Sequence, residues 1–250
     1  MSQPASYRHI FFDLDKTLTP SRALMQAEDI PLFERLTESY DVIVVTGGSE
    51  DQIRRQIPLA PEGRYYMLSQ QGNHAVHKDG TTMWHETVTP DQEKAAKAFA
   101  LRLTDEFIKA EGRTLKDPND IFENRGSQLA SSVVGFHESN EVKYAVDPDQ
   151  SKRQALLKRH PEELERLREA GLEVMPAGTT TFDFILLGHH KGYNIERFLR
   201  LMRWKKDECI YVGDALFPGG NDESVIGVIP TFQVKDQDDT FAFVRGLMEA

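Results

Sequence analysis

Two aspartates one residue apart, Asp13 and Asp15, close the apolar run of "HIFFDLDKTLTP". Two other apolar runs end in a related way. "DVIVVTGG" delivers Thr46 with Gly47 and Gly48, and "CIYVGD" delivers Gly213 and Asp214. Three carboxylates, a hydroxyl and flexible glycine turns therefore stand at the ends of three candidate strands. A carboxylate in such a set can act as a nucleophile and form an acyl phosphate. A second acid nearby can protonate the leaving alcohol and later deprotonate water. Clustered carboxylates repel one another and take up protons unless a cation holds them ionised. Oxygen-only ligands favour Mg2+, which also bridges to a phosphate oxygen. Lys191, at the head of the helix after "LLGHHK", could neutralise the transferred phosphoryl charge. Phosphate monoesters demand such help, since acceleration can reach ~10²¹-fold, roughly 28 kcal/mol. Positioning, metal and cation must share that load. Taken singly, each strand-end Asp or Gly reads as a turn residue. The coincidence at three strand ends is what points to a site.

These residues need a scaffold. "RHIFFDLD", "DVIVVTGG", "RYYMLSQQ", "CIYVGD" and "VIGVIPTFQV" read as strands, the apolar ones buried on both faces. "ALMQAEDIPLFERLTESY" reads as a helix interrupted at Pro31, "QIRRQI" as a short helix and "DTFAFVRGLMEA" as the last one. In "GYNIERFLRLMRW", Ile195, Phe198, Leu199 and Met202 form one helical stripe. Alternation of this kind predicts an α/β fold, a Rossmann-like parallel sheet with helices on both faces. Ligands of such sheets bind beyond the carboxyl ends of the strands, where the candidate residues stand. The middle of the chain differs. A hairpin turning at Asp79–Gly80 leads to a helix from about Asp91 to Ala110, strand-like "QLASSVVGF" and "KYAVD", a helix between Pro161 and Gly171, and strands "LEVMPAG" and "TFDFILLG". This mixture predicts an inserted α+β cap over residues 88–186, within a core made of 1–87 and 187–250. The run "KRQALLKRH" reads as a solvated helix face, and Trp84 and Trp204 as packing residues.

Composition narrows the partners. Forty acidic against thirty basic residues leave a net charge of −10 over 250 residues. The field repels phosphate, which disfavours nucleic acid and anionic membranes and requires a local basic pocket for a small phosphorylated substrate. Cys209 is the only cysteine, so no intramolecular disulfide forms. No secretory signal is apparent and no apolar run approaches the ~20 residues of a membrane span; the expected location is the cytoplasm. His189 and His190 are adjacent and point different ways, no HExxH pattern exists, and His74, His77 and His85 read as surface residues.

"DLDKT", "VVTGGS", Lys191 and "GDALFPGGND" resemble, in order, the four motifs of the haloacid dehalogenase-like (HAD) superfamily of phosphohydrolases and phosphomutases. The lid between the second and third motifs is similar to that of the Cof-type branch. "PGGND", and "TFDF" before the lysine, look most like the eukaryotic-type phosphomannomutases. The resemblance implies Asp13 as nucleophile and Asp15 as general acid/base. It implies Mg2+ held by Asp13, the Asp15 carbonyl and Asp214, with Asp222 supporting from outside. Thr46 and Lys191 would hold the phosphoryl group, with Gly47 beside them. In the lid, Arg125 matches a substrate-phosphate arginine, and Thr181 and Asp183 match the sugar-contacting pair of the mutases. Two lid arginines are replaced, by Phe136 and by Lys143, which keeps the charge but not the bidentate fork. Lys16 stands where glycine is usual; its ammonium in the metal's place would suit a non-catalytic binding module. A mutase must grip a bisphosphate in two orientations, and fewer lid cations weaken that grip. The expectation is therefore a Mg2+-dependent phosphatase of a sugar phosphate or similar small phosphoester, with a phosphomannomutase or phosphoglucomutase as the alternative. Related mutases dimerise through the lid, so the resemblance admits a homodimer. It also implies a lid that closes over substrate.

Overall fold

Every residue of strand β1 (His9–Asp13) is buried, as a strand covered on both faces requires. A computed structural model describes residues 7–249 of the chain. After β1 come helix α1 (Ile30–Ser39), β2 (Asp41–Val45), α2 (Glu50–Gln56), β3 (Tyr65–Ser69), β4 (His74–Val76) and β5 (Thr82–His85). Pro31 lies in the first turn of α1, where the missing N–H has no helical partner to lose. The helix therefore starts at the proline instead of running through it, and residues 23–29 lie outside, which corrects the longer helix expected there. Next follow α3 (Pro90–Glu111), β6 (Phe122–Asn124), β7 (Gln128–Ser132), α4 (Asn140–Val146), α5 (Ser151–Lys158), α6 (Pro161–Glu169), β8 (Leu172–Ala177) and β9 (Thr181–Leu186). The chain ends with α7 (Lys191–Met202), β10 (Cys209–Gly213), β11 (Thr231–Gln233) and α8 (Gln237–Glu249). It divides into two compact units, one spanning Glu86–Gly188 and the other the chain up to His85 and again from His189.

The first unit is an α/β layer structure. Its seven-stranded sheet runs β11-β10-β1-β2-β3-β4-β5, parallel from β11 to β3, with β4 and β5 added as an antiparallel hairpin. Side chains alternate between its faces with the strand period of two. Ile10, Phe12, Val42, Val44, Tyr65, Met67, Ile210 and Val212 pack with Phe33 of α1, Ile53 of α2 and Phe241 of α8. Phe11, Ile43, Val45, Tyr66, Leu68 and Tyr211 pack with Ile195, Phe198 and Leu199 of α7. Asp13 continues the Phe11 series, so it and Tyr211 belong to the α7 face. Register does the rest. Asp13 pairs with Val45 and Phe12 with Val212, so Asp13, Thr46 and Gly213 come within one residue of level at the carboxyl ends of three neighbouring strands. Both tryptophans serve this layer: the Trp84 indole donates to Gly72 O at 2.9 Å, and Trp204 stacks on His9 at 3.6 Å. Of "VIGVIPTFQV" only Thr231–Gln233 is strand, and all three residues are exposed. The expected buried strand is thus a short edge strand, following the left-handed Gly227 and Pro230.

The Glu86–Gly188 unit carries a four-stranded antiparallel sheet, β6-β7-β9-β8. Leu129, Phe182 and Phe184 face Phe99 and Leu103 of α3, Leu156 of α5 and Leu167 of α6. Helix α3 begins with a full capping box, Thr89 and Gln92 bonding each other's backbone N–H. "KYAVD", expected as a strand, lies in α4, where Ser139 Oγ accepts from Val142 N and overrides β-propensity. The "KRQALLKRH" run presents Lys152, Gln154, Lys158 and Arg159 to solvent, as expected of a solvated helix face, and departs from that expectation at Arg153. Arg153 is fully buried. Its Nε donates to Asp147 Oδ2 at 2.7 Å, and its Nη groups donate to the carbonyls of Ala177, Thr181 and Gly178 at 2.6, 2.5 and 3.0 Å. Charge alone suggests solvent; with a further bond from Nη2 to Asp147 O at 3.4 Å, five donors meet five acceptors and permit burial. Arg153→Met will destabilise the protein by about 3–5 kcal/mol, because Asp147 is left charged and buried. Chemical denaturation reads the loss, and Asp147→Leu in the same chain will recover much of it.

Candidate active site

Helix α7 lies on the face shared by Phe11, Asp13 and Tyr211, so its first residue, Lys191, arrives beneath the end of β1. His190 caps that helix, its Nδ1 accepting from Tyr193 N at 3.2 Å. Lys191 Nζ donates to Asp13 Oδ1 at 2.5 Å, to Asp222 Oδ1 at 2.6 Å and to the Tyr211 hydroxyl at 3.2 Å. Tyr211 in turn donates to Asp222 Oδ1 at 2.6 Å, and Asp222 Oδ2 accepts from Ala215 N at 3.3 Å. Asp222 and Lys191 are fully buried. Gly213 makes this closure possible: a Cβ there would lie 2.4 Å from Asp222 Oδ2.

Asp13, Asp214 and Asp222 offer oxygens that all lie within 4.8 Å of one another, against one ammonium in contact. The electrostatics register the imbalance. Burial pushes Asp13 up to about 7, with Asp222 and Asp214 adding to the rise and Lys191 opposing it. Asp214 is raised by burial and then by Asp222, against Lys16 and Lys191. Burial would lower Lys191, but Asp13 and Asp222 outweigh it and hold the ammonium charged. Burial, with Asp222 and Asp13, also keeps Tyr211 a neutral phenol. Three carboxylates facing one lysine leave a surplus of negative charge, all of it on oxygen. A hard divalent cation fits such a donor set.

Asp15 lies just beyond the strand, and its carboxylate turns to α2. Gln52 Nε2 donates to Oδ2 at 2.8 Å. Gln56 Nε2 and Arg22 N donate to Oδ1 at 3.2 and 2.5 Å. Thr46 Oγ1 accepts from Gly48 N at 3.1 Å, and the Thr46 and Gly48 carbonyls hold the backbone of Gln71 and Gln70. Lys16 is exposed with φ 61°. That left-handed geometry costs a side chain about 1–2 kcal/mol and explains why glycine suits the position; the lysine's charge acts on Asp214. Gly47 follows Thr46 in the same unit, where a Cβ would lie 2.9 Å from Gln71 Nε2; the remaining sequence-predicted residues belong to the Glu86–Gly188 unit. Arg125 pairs with Glu123 at 2.7 Å and lies 5.7 Å from the Phe136 ring. Lys143 Nζ donates to Phe136 O at 2.5 Å. Thr181 and Asp183 share one face of β9, and Thr181 Oγ1 donates to Ala177 O at 2.7 Å.

Three residues of the site escaped the motif reading: Tyr211, Gln52 and Gln56. Each left a signal. Tyr211 precedes Gly213 by two on a buried strand and so shares its face, and the glutamines stand four apart on the helix after "TGGS", on one side of it.

The model of the haloacid dehalogenase-like hydrolases matches residues 10–226, and the chain belongs to that family. No curated protein matches it. Several solved structures share its fold. The IMP-nucleotidase of Plasmodium falciparum is 14% identical with a TM-score of 0.69, over 97% of this chain and 68% of that one. A haloacid dehalogenase-like hydrolase from Bacteroides thetaiotaomicron is 14% identical with a TM-score of 0.63, over 97% and 99%. A Streptococcus mutans protein is 13% identical with a TM-score of 0.67, over 98% and 100%. Among the described residues, no helix is long and apolar enough to cross a membrane.

Proposed function

We propose that the protein is a Mg2+-dependent phosphatase that hydrolyses a sugar phosphate or similar small phosphoester through an aspartyl phosphate. The observation that carries this reading is Lys191 Nζ bridging Asp13 and Asp222 at 2.5 and 2.6 Å, with Asp214 in the same cluster. Lys191 fixes Asp13 Oδ1 and thereby aims Oδ2 at phosphorus. As the Oδ2–P bond forms, the ester P–O bond breaks and the departing alcohol takes a proton from Asp15. In the second half, Asp15 takes a proton from water as the water oxygen attacks phosphorus and the Asp13–P bond breaks. Asp13, the Asp15 carbonyl and Asp214 would hold Mg2+, with Asp222 behind; bound there, it would offset carboxylate and phosphate charge. Lys191 and the Thr46 hydroxyl steady the phosphoryl group.

The inserted unit would choose the substrate, through Arg125, Lys143, Thr181 and Asp183. Its cations favour hydrolysis over a phosphomutase. Arg125 is engaged by Glu123 and Lys143 by a carbonyl, and Phe136 adds no charge, so a second phosphate finds a weak grip.

Phosphorus NMR on hexose 1- and 6-phosphates and IMP tests the reading. Free phosphate should appear with Mg2+ and fall to background with EDTA. Isomerisation without free phosphate would replace it with the mutase; no metal-dependent turnover on any substrate would remove both. Mg2+ at a hundredfold excess over its Kd should stabilise the fold by about 2.7 kcal/mol, roughly 5–10 °C in Tm for a chain of this size. Asp214→Asn should lose most of that shift.

A further inference from the structure

We infer that Gln52 and Gln56 are the positioning residues of the proton-transferring carboxylate: two α2 amides, one helical turn apart, grip Asp15 and set where it delivers and collects its proton. This rests on the phosphatase reading above, in which Asp15 is the acid and base.

Both Asp15 oxygens are taken by α2 or by backbone. Gln52 Nε2 reaches Oδ2 at 2.8 Å, while Gln56 Nε2 and Arg22 N reach Oδ1. Donors on both oxygens remove the freedom of the carboxylate to rotate. Charge-assisted bonds of this kind are about twice as strong as neutral ones. Gln56 is almost wholly buried, and its second N–H donates to Thr19 Oγ1 at 2.7 Å. Its Oε1 is buried and meets no hydrogen-bond donor among the described residues. Turning the amide over would bring that oxygen to the Thr19 hydroxyl, which donates to Leu14 O, but would set a carbonyl against the Asp15 carboxylate and take the amide N–H groups away from both their acceptors. The orientation present leaves a buried acceptor unpaired, an arrangement that has a cost and that the bond to Asp15 offsets.

Gly48 belongs to the same device. Its φ is not left-handed, so conformation does not demand glycine there. A Cβ at 48 would lie 2.1 Å from Gln52 Oε1 and would push the end of that side chain aside. The bare backbone lets the Gln52 amide lie down towards Asp15.

In the second half-reaction the grip matters most. An anchored carboxylate takes the proton of the attacking water as the new P–O bond forms and the Asp13–P bond breaks. Attack by Asp13 on an ester with a good leaving group needs no proton from Asp15.

Rapid mixing with 2,4-dinitrophenyl phosphate separates the two steps. Wild type should give a burst of dinitrophenolate and then steady turnover. Gln52→Leu should leave the burst rate within about threefold and lower steady turnover 10- to 100-fold, part of the 10²–10⁴ that general acid–base catalysis supplies. Gly48→Ala, which displaces Gln52 without removing it, should act in the same direction. In an Asp15→Asn background, Gln52→Leu should have no further effect. Burst and turnover falling together, turnover unchanged, or additive losses with Asp15→Asn would overturn the clamp and leave the phosphatase standing. A wild-type enzyme that releases no dinitrophenolate would instead overturn the reading beneath it.

Discussion

Asp13→Asn will reduce phosphate release to background, a loss on the order of 10⁴-fold or more, as when a covalent nucleophile is deleted. The fold will not suffer with it. Asparagine still offers Lys191 an oxygen, and it removes a negative charge from a cluster that already holds too many. Burial raises Asp13 to about 7, above the 3.8 of a free aspartate. The native state therefore binds more protons than the unfolded chain between those values. The contribution of Asp13 to stability is full below pH 3.8 and is lost as pH rises through 7. Metal-free wild type should accordingly lose stability across that window, and Asp13→Asn should show a flatter profile. Denaturant titrations at several pH values in EDTA check this, with phosphate release measured on the same samples. A variant that retains a tenth of wild-type activity would remove Asp13 from the mechanism.

Lys191→Met is the second large effect, and it strikes stability as well as activity. The Lys191 side chain is fully buried and bridges two carboxylates. Methionine matches its length but leaves Asp13 and Asp222 facing each other, with Tyr211 and Ala215 N still donating to Asp222. Removing one partner of a buried ion pair costs about 3–5 kcal/mol. In a chain of this size that lowers Tm by roughly 6–20 °C. Asp222→Asn added to Lys191→Met should recover a good part of the stability and none of the activity, because it relieves the repulsion without restoring the cation. Equal melting temperatures for wild type and Lys191→Met would contradict the bridge. Mg2+ should lessen the deficit of the single variant, since a divalent cation opposes the same repulsion.

Much of this molecule was legible in residue order alone. The parallel sheet followed from apolar runs alternating with amphipathic stretches, and the motif residues Asp13, Thr46 and Asp214 stood at strand ends because turns and strand ends are local events. Local events also misled. Pro31 reads as an interruption and is a start, and "KYAVD" has β-propensity yet forms the last turn and C-cap of a capped helix. The charges of "KRQALLKRH" spoke for solvent, but Arg153 found its acceptors on Asp147 and on a turn 24 to 28 residues onward; nothing within the run itself encodes them.

Order along the chain determined which residue types stand where each strand ends, because hydrophobic period and turn chemistry act over a few residues. Tertiary structure decided which of them touch. Lys191 is 178 positions from Asp13 and 31 from Asp222; they meet because parallel register levels β1 with β10 and because α7 packs on the Phe11 face. The grip of Gln52 and Gln56 on Asp15 likewise arises only once α2 lies on the opposite face. Hydrogen bonds and ion pairs at 2.5–3.2 Å depend on ångström placement, and that placement is set by the packing of whole elements rather than by any short stretch of sequence.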